Sequence, residues 1–223
     1  LASTELPSGG VLDDGSGWVR LNLFKAAGGY GAFASDVSVT LDASLGGFNA
    51  VDMWSNDISG PGGLTKAGTG TQILTGSSTF SGTTTVNTGM LNIQHASALG
   101  STAGNTVVAS GAALEIQGNI TVAEPLTLNG TGISGGGALR HINSNNFWSG
   151  AITLASDASI GGVAGPGGSE LVLFGAIGQS GGTRSLTVGG DISLVMQSGS
   201  GNTYTGTTTV IDVASLRLRR ASD

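Results

Sequence analysis

Cysteine is absent from all 223 residues. A thiol nucleophile, a disulfide framework and a zinc site built on thiolates are thereby excluded. Charge is scarce as well, at 10% of residues, with eight cations against fourteen carboxylates. A groove that tracks phosphates needs clustered cations, and the one cluster is Arg217, Arg219 and Arg220. Leu216 and Leu218 alternate with these arginines, which reads as a strand with leucines inward and charges outward. No nucleic-acid partner is expected. Long apolar runs are missing too. Residues 67–114 carry no Asp, Glu, Lys or Arg, but glycine and hydroxyl residues interrupt every apolar stretch, so no membrane span is expected. Leu1-Ala2-Ser3-Thr4-Glu5 lacks the basic start and apolar core of an export signal. The expectation is a signal already removed, or an internal piece of a longer chain. The only two histidines, His95 and His141, have no second histidine or carboxylate at metal spacing. They read as surface or corner residues.

Glycine is what the chain has in excess, at 41 residues, without the Gly-X-Y period of collagen. Hydrophobic residues make up 39%, too many for a disordered chain with so little charge. They fall in short alternating runs, among them Val37-Ser38-Val39-Thr40-Leu41, Met90 to Ile93, Leu114 to Ile116, Leu171 to Phe174 and Ile192 to Met196. Such runs suit half-buried strands. Gly118-Asn119, Asn129-Gly130 and Gly189-Gly190-Asp191 punctuate them as turns. No stretch keeps a 3.6-residue period through two turns, so helix content is expected to be very low. Two or three strands in each ~20–25 residues fit the coils of a right-handed parallel β-helix, a β-solenoid in which only neighbouring coils touch. The alternative is a β-sandwich or jelly roll. Residues 60–223 read as the solenoid with strand repeats. Residues 1–59 read as a less regular part, a cap or the first coils, with Trp18, Phe24, Tyr30 and Phe33 among glycines.

One phrase recurs. Thr79-Phe80-Ser81-Gly82-Thr83-Thr84-Thr85-Val86 returns as Thr203-Tyr204-Thr205-Gly206-Thr207-Thr208-Thr209-Val210, with an echo at Phe147-Trp148-Ser149-Gly150-Ala151-Ile152-Thr153-Leu154. Each copy sets an aromatic two residues before a glycine that opens a run of β-formers. The unit is a turn feeding a strand. Phe80, Trp148 and Tyr204 are expected at equivalent corners, with Gly82, Gly150 and Gly206 relieving steric conflict where the next strand starts. Read from Gly63-Leu64-Thr65-Lys66-Ala67-Gly68 to Met90-Leu91-Asn92-Ile93, this stretch resembles the passenger-associated strand repeat of bacterial autotransporters. A second stretch, from Ser185-Leu186-Thr187-Val188-Gly189-Gly190 to Leu216, is similar but has Asp212-Val213-Ala214 where an Asn-x-Gly turn is usual. The resemblance implies an extracellular β-helical stalk or adhesin region of a Gram-negative surface protein. The membrane barrel that ends such proteins is not in this sequence, so a passenger fragment is expected.

The glycine-rich stretches that match catalytic motifs also fit turn chemistry. Gly130-Thr131-Gly132-Ile133-Ser134-Gly135 matches a dinucleotide glycine pattern, but Gly136-Gly137-Ala138-Leu139 is a poor helix start. Gly178-Gln179-Ser180-Gly181-Gly182 and Gly132-Ile133-Ser134-Gly135-Gly136 match a nucleophile elbow, yet no histidine follows Ser180. Gly189-Gly190-Asp191 does not recur as a calcium repeat. The enzyme alternative is a carbohydrate-active β-helix whose acid and base come from Asp36, Asp42, Asp52 and Asp57, with Trp54 as a sugar-stacking platform. The competing reading puts these aspartates in turns, bonded to backbone amides. The sequence thus points to a non-enzymatic, secreted or cell-surface structural and adhesive β-helix that needs no cofactor and no metal. Its expected partners are glycans, a host or neighbouring cell surface, or further copies of itself in filaments or stalks. Direct membrane insertion of this segment is not expected.

Overall fold

The computed structural model describes residues 30–163, 168–199 and 201–219, together with the backbone of Leu12–Asp13 and Val19–Arg20. Apart from that two-residue antiparallel pair, every strand pairing among the described residues is parallel. The strands wind into a β-solenoid of about 8 turns with almost no helix. Its first face stacks Val37–Thr40, Leu64–Ala67, Thr84–Val86, Thr106–Val108, Leu126–Gly130, the start of Ile152–Gly162, and Ile177–Gln179. The second stacks Val51–Trp54, Thr71–Leu74, Met90–Ile93, Ala113–Ile116, Leu139–His141, the end of Ile152–Gly162, Leu186–Gly190 and Thr208–Val210. A third face opens at Thr121–Val122 and continues through Asn146–Trp148, Glu170–Leu173, Ser193–Met196 and Ser215–Leu218. Earlier coils close this side with turns. The eleven-residue strand Ile152–Gly162 runs round a corner and joins the first two faces.

Strand alternation decides what fills the middle, because successive side chains point to opposite sides of a pleated strand. On the first face Leu64, Thr84, Thr106, Leu126, Ile152 and Ile177 stand in register and are buried. On the second, Leu91, Leu114, Leu139, Ile160 and Val188 do the same. Trp148, Leu173 and Met196 complete the ring from the third face. Each buried Leu, Ile or Val contributes on the order of 1.5–3 kcal/mol. The ladder also pairs backbone groups with the coils on either side. A coil here is stable only through its neighbours.

Glycine closes the corners in two ways. Gly89 has φ +70°, and a Cβ there would stand 2.3 Å from the Gly68 carbonyl oxygen. Gly62, Gly82, Gly104, Gly150 and Gly175 instead form a column at the entry to the first face, where consecutive backbones nearly touch. A Cβ at Gly150 would lie 2.0 Å from the Glu124 carbonyl oxygen, and one at Gly175 would lie 1.8 Å from that of Gly150. Among the described coils, stacking begins before residue 60, since Val37–Thr40 pairs with Leu64–Ala67 and Val51–Trp54 with Thr71–Leu74. Phe33 is fully buried against Trp54 and Phe80, and Tyr30 packs on the same cluster. Trp18 and Phe24 lie outside the described residues.

At the other end, the corner lacking the usual Asn-x-Gly is built by Asp212 itself. It adopts φ +57°, and its carboxylate accepts the Gly190 amide at 2.8 Å. The expected inward leucines of the last strand are only partly realised. Leu216 is half-buried, but Leu218 is 74% exposed because no described coil covers it. Arg217 points outward and pairs with Glu170 two coils back. Arg219 is exposed, and Arg220 lies outside the described residues.

Candidate functional site

The recurring aromatics and glycines sit at coil corners of two kinds. Phe80 and Trp148 are fully buried, and the Trp148 indole donates to the Glu124 carbonyl at 3.0 Å. Their glycines, Gly82 and Gly150, belong to the close-packed column before the first face. Tyr204 is half-buried, with its hydroxyl against Thr208, and Gly206 packs on Arg184 before the second face. None of the three glycines has positive φ. What each avoids is collision. A Cβ would stand 2.3 Å from Gly63 N at Gly82 and 2.2 Å from Arg184 O at Gly206.

The four aspartates are distributed round the first coil and engaged by backbone. Asp36 accepts the Gly63 amide at 2.8 Å, and Asp57 accepts the Ser77 amide at 2.6 Å, each bracing the next coil. Asp42 accepts the Ser44 hydroxyl and amide, which hold its carboxyl below the usual carboxylate range. Asp52 accepts the Met53 amide at 2.9 Å and the Trp54 indole at 2.8 Å. Trp54 is buried, in contrast to the expected surface platform, because its position faces inward in register with Leu74. The glycine motifs are turns. Ile133–Gly135 is one 3-10 turn and no helix follows it, while Ser180 ends the first-face run Ile177–Gln179 in another turn.

His141 is not at the surface. It is fully buried at the end of Leu139–His141, in register with inward Ile116, while His95 is half-buried and accepts the Ser97 amide. Around His141 the chain brings together a serine, a histidine and an asparagine. Its Nε2 lies 3.0 Å from Ser169 Oγ and its Nδ1 lies 3.2 Å from Asn146 Nδ2. A general base in such a trio needs a free Nε2 lone pair and an acceptor at Nδ1. Asn146 supplies the opposite. Its oxygen accepts the Ile120 amide at 3.2 Å and its nitrogen donates to the Asn143 carbonyl at 2.6 Å, so its orientation is fixed with the amide nitrogen toward His141. Nδ1 must then accept, and Nε2 carries the proton and donates it to Ser169. Burial lowers the imidazole's pKa and keeps it neutral. The trio ties a corner together and lacks the base that would activate the serine.

Three further features carry chemistry. On the outer side of the second face, Asn92 and Arg140 both donate to Glu115 at 3.0 Å, and Gln94 extends the ladder to Asn92. Inside the first face, Lys66 is fully buried in register with Val39 and Val86. Its ammonium donates to the carbonyls of Ala67 (2.8 Å), Gly68 (2.9 Å) and Thr88 (3.2 Å). Three donors meet three acceptors across the corner. The third feature is a small cleft on the outside, between the turn holding Ala96, Ser97, Leu99, Gly100 and Thr102 and the strand end at Thr121, Ala123 and Glu124. Glu124 occupies the corner column otherwise filled by glycine. Its side chain lies over Gly104, and neither carboxyl oxygen has a partner among the described residues. Burial raises its pKa to about 7. Next to the cleft, Phe147 and Phe174 stack with ring centroids 5.8 Å apart and planes within 6°. Alternation alone marks Phe147 as outward. The pairing with Phe174 and the orphan carboxyl depend on coil register, which spacing within one strand does not encode.

Residues 64–93 and 192–212 match the passenger-associated-transport-repeat family. Over 172 residues the sequence is 34% identical to the adhesin BmaC autotransporter of Brucella suis, covering 67% of this chain and 5% of that protein. A stretch of 69 residues is 45% identical to an extracellular serine protease of Serratia marcescens, covering 31% of this chain and 6% of the protease. The chain therefore spans a small fraction of the length of these curated relatives. No solved structure matches it.

Proposed function

We propose, from the premise that this chain is an autotransporter-passenger-like repeat protein, that it serves as a non-enzymatic spacer and adhesive surface on the outside of a bacterial cell. The observation that carries the reading is the use made of its polar groups. Asp36, Asp57, Asp212 and Asn146 are each engaged in bonding one coil to another, which is what a rigid rod requires. The His141 trio has the wrong tautomer for a base. Among the described residues no group of three His, Asp or Glu side chains is placed to hold a metal. The outer faces are rich in Ser, Thr, Asn and Gln with little charge, a surface suited to hydrogen bonding with glycans or to lateral contact with a second stalk. The adhesin relative from Brucella suis supports the same direction.

The test pairs attachment with turnover. Beads coated with the chain should adhere to glycan-coated surfaces or cells, while screens of polysaccharide and protein substrates should give no cleavage. Turnover of a polysaccharide that is lost in Asp52→Asn or Asp57→Asn would replace this reading with the carbohydrate-active one. Absence of attachment would remove the adhesive half and leave a spacer.

A further inference from the structure

The outward side of the third face combines three things within two coil steps. First, Phe147 points out of Asn146–Trp148, whose flanking residues are both buried, and stacks on Phe174, which is 42% exposed. Phe147 is half-buried, so the stacked pair presents part of both rings to the outside. Second, Thr121 pairs in register with Phe147 and itself lines the cleft, so the cleft begins one coil, about 4.8 Å, from the rings. Exposed Ser149 stands between, one residue before the corner glycine column. Third, Glu124 borders that cleft at 3% exposure with neither carboxyl oxygen partnered among the described residues, although buried polar atoms are ordinarily hydrogen-bonded.

An unsatisfied buried carboxyl is costly; both oxygens are covered as they stand, so a ligand that brings hydroxyl groups into the cleft repays that cost by drawing the Glu124 side chain outward to meet them. The other cleft-facing polar groups are the hydroxyl residues Ser97, Thr102 and Thr121, with no cation among the lining residues. A phosphate-bearing partner would thus meet an acid and no counter-charge. A flat protein partner would cover the rings but leave the recessed carboxyl unmet. A ligand with alternating apolar faces and hydroxyl edges meets both requirements, and a chain of pyranose rings has that character.

We propose that this surface is a glycan-docking site, in which the Phe147 and Phe174 rings stack on a pyranose face and the cleft bordered by Glu124 receives the hydroxyl groups of the adjoining sugar. The proposal deepens the adhesive reading and rests on it. It assigns adhesion to one place on the rod, near its middle on the third face, and leaves the first two faces as scaffold.

The test titrates the chain with chitohexaose, cellohexaose and mannohexaose, followed by amide shifts in NMR and by calorimetry. At least one probe should bind and shift Thr121, Ala123, Ser149 and Phe174. Phe147→Ala/Phe174→Ala should weaken that binding about tenfold, the combined worth of two aromatic contacts. Both rings lie on the outside, so thermal unfolding should stay close to that of the parent. Glu124→Gln, which keeps the shape, should weaken binding by a smaller factor. Failure of all three probes to bind, or binding untouched by the double variant, overturns the site. If the parent and the double variant adhere equally in the bead assay, the site falls and the adhesive reading stands. If the parent does not adhere at all, that reading falls first. Self-association in sedimentation that is lost in the double variant, with no oligosaccharide bound, would reassign the surface to a second copy of the chain.

Discussion

Thr79 to Val86 and Thr203 to Val210 are nearly the same eight residues, and they experience different surroundings. Thr84 and Val86 are fully buried, with Leu64–Ala67 on one side and Thr106–Val108 on the other. Thr208–Val210 pairs with Leu186–Gly190 alone among the described strands, and Val210 is 44% exposed. Phe80 is sealed in an aromatic cluster, whereas Tyr204 is half-buried and uses its hydroxyl. The faces differ as well, since the earlier copy feeds the first face and the later one the second. The phrase therefore specifies a turn that launches a strand. Burial, and most of the stability, comes from the coils above and below, as expected for a fold with nearest-neighbour energetics.

The largest effect should come from the glycines that both copies keep. Gly82→Val drives a side chain into the backbone of Gly62 and Gly63 in the middle of the stack, where neither coil can move away. The expected loss is about 3 kcal/mol or more, read as a shifted urea midpoint. Gly206→Val meets Arg184 just as closely, but its coil has a described neighbour on one side only. It should fray locally. Hydrogen exchange should accelerate at Thr208–Val210 while the global midpoint moves by under about 1 kcal/mol. Equal global losses in the two variants would break the contrast.

A milder pair sharpens it. Val86→Ala opens a hole in a filled ladder and should cost about 2 kcal/mol, whereas Val210→Ala trims a half-exposed side chain and should cost less than about 0.5 kcal/mol. Chemical denaturation of both at one pH is sufficient. A Val210→Ala loss matching that of Val86→Ala would mean that this coil is covered in solution.

The architecture was legible because its code is local and repeated. Period-two runs, glycine turns and the phrase at Thr79 and Thr203 are each read within ten residues, and together they give parallel coils. What lay across coils was not legible. Trp54 looked like a surface platform because neighbouring aspartates suggested a site, yet its register with Leu74 turns it inward. His141 reads as peripheral because nothing near it in sequence could ligate a metal, but Asn146 meets it across the next corner of its own coil and Ser169 comes from the following coil. Glu124 carried one usable signal. It stands two residues after Val122, as Gly82 stands two after Phe80 and Gly150 two after Trp148. An acid at a corner otherwise given to glycine is visible only once the column has been aligned.

The smallest contrast concerns a core position where the two repeats differ in charge. Lys66 follows Leu64-Thr65 as Val188 follows Leu186-Thr187, and both side chains point inward. Valine fills its place without further demand. Lysine must bring a charge into the stack, and burial lowers its pKa to about 8 from an ordinary 10.5, while three carbonyls keep the ammonium hydrogen-bonded at neutral pH. Between these two values the unfolded chain holds a proton that the folded chain has released, so stability rises with pH across the window. The contribution is fully present above pH 10.5 and is lost as pH falls through about 8. A shift of that full width would be worth about 3 kcal/mol; the three carbonyls favour the charged form and oppose it, so the change should be nearer about 1 kcal/mol. It is read by subtracting the unfolding free energy of Lys66→Met from that of the parent between pH 7 and 11, which cancels every other titration. A flat difference would mean that the ammonium is as comfortable inside the coil as in water. A Val188→Lys variant should then be tolerated too, and the distinction between the two repeats would reduce to stacking alone.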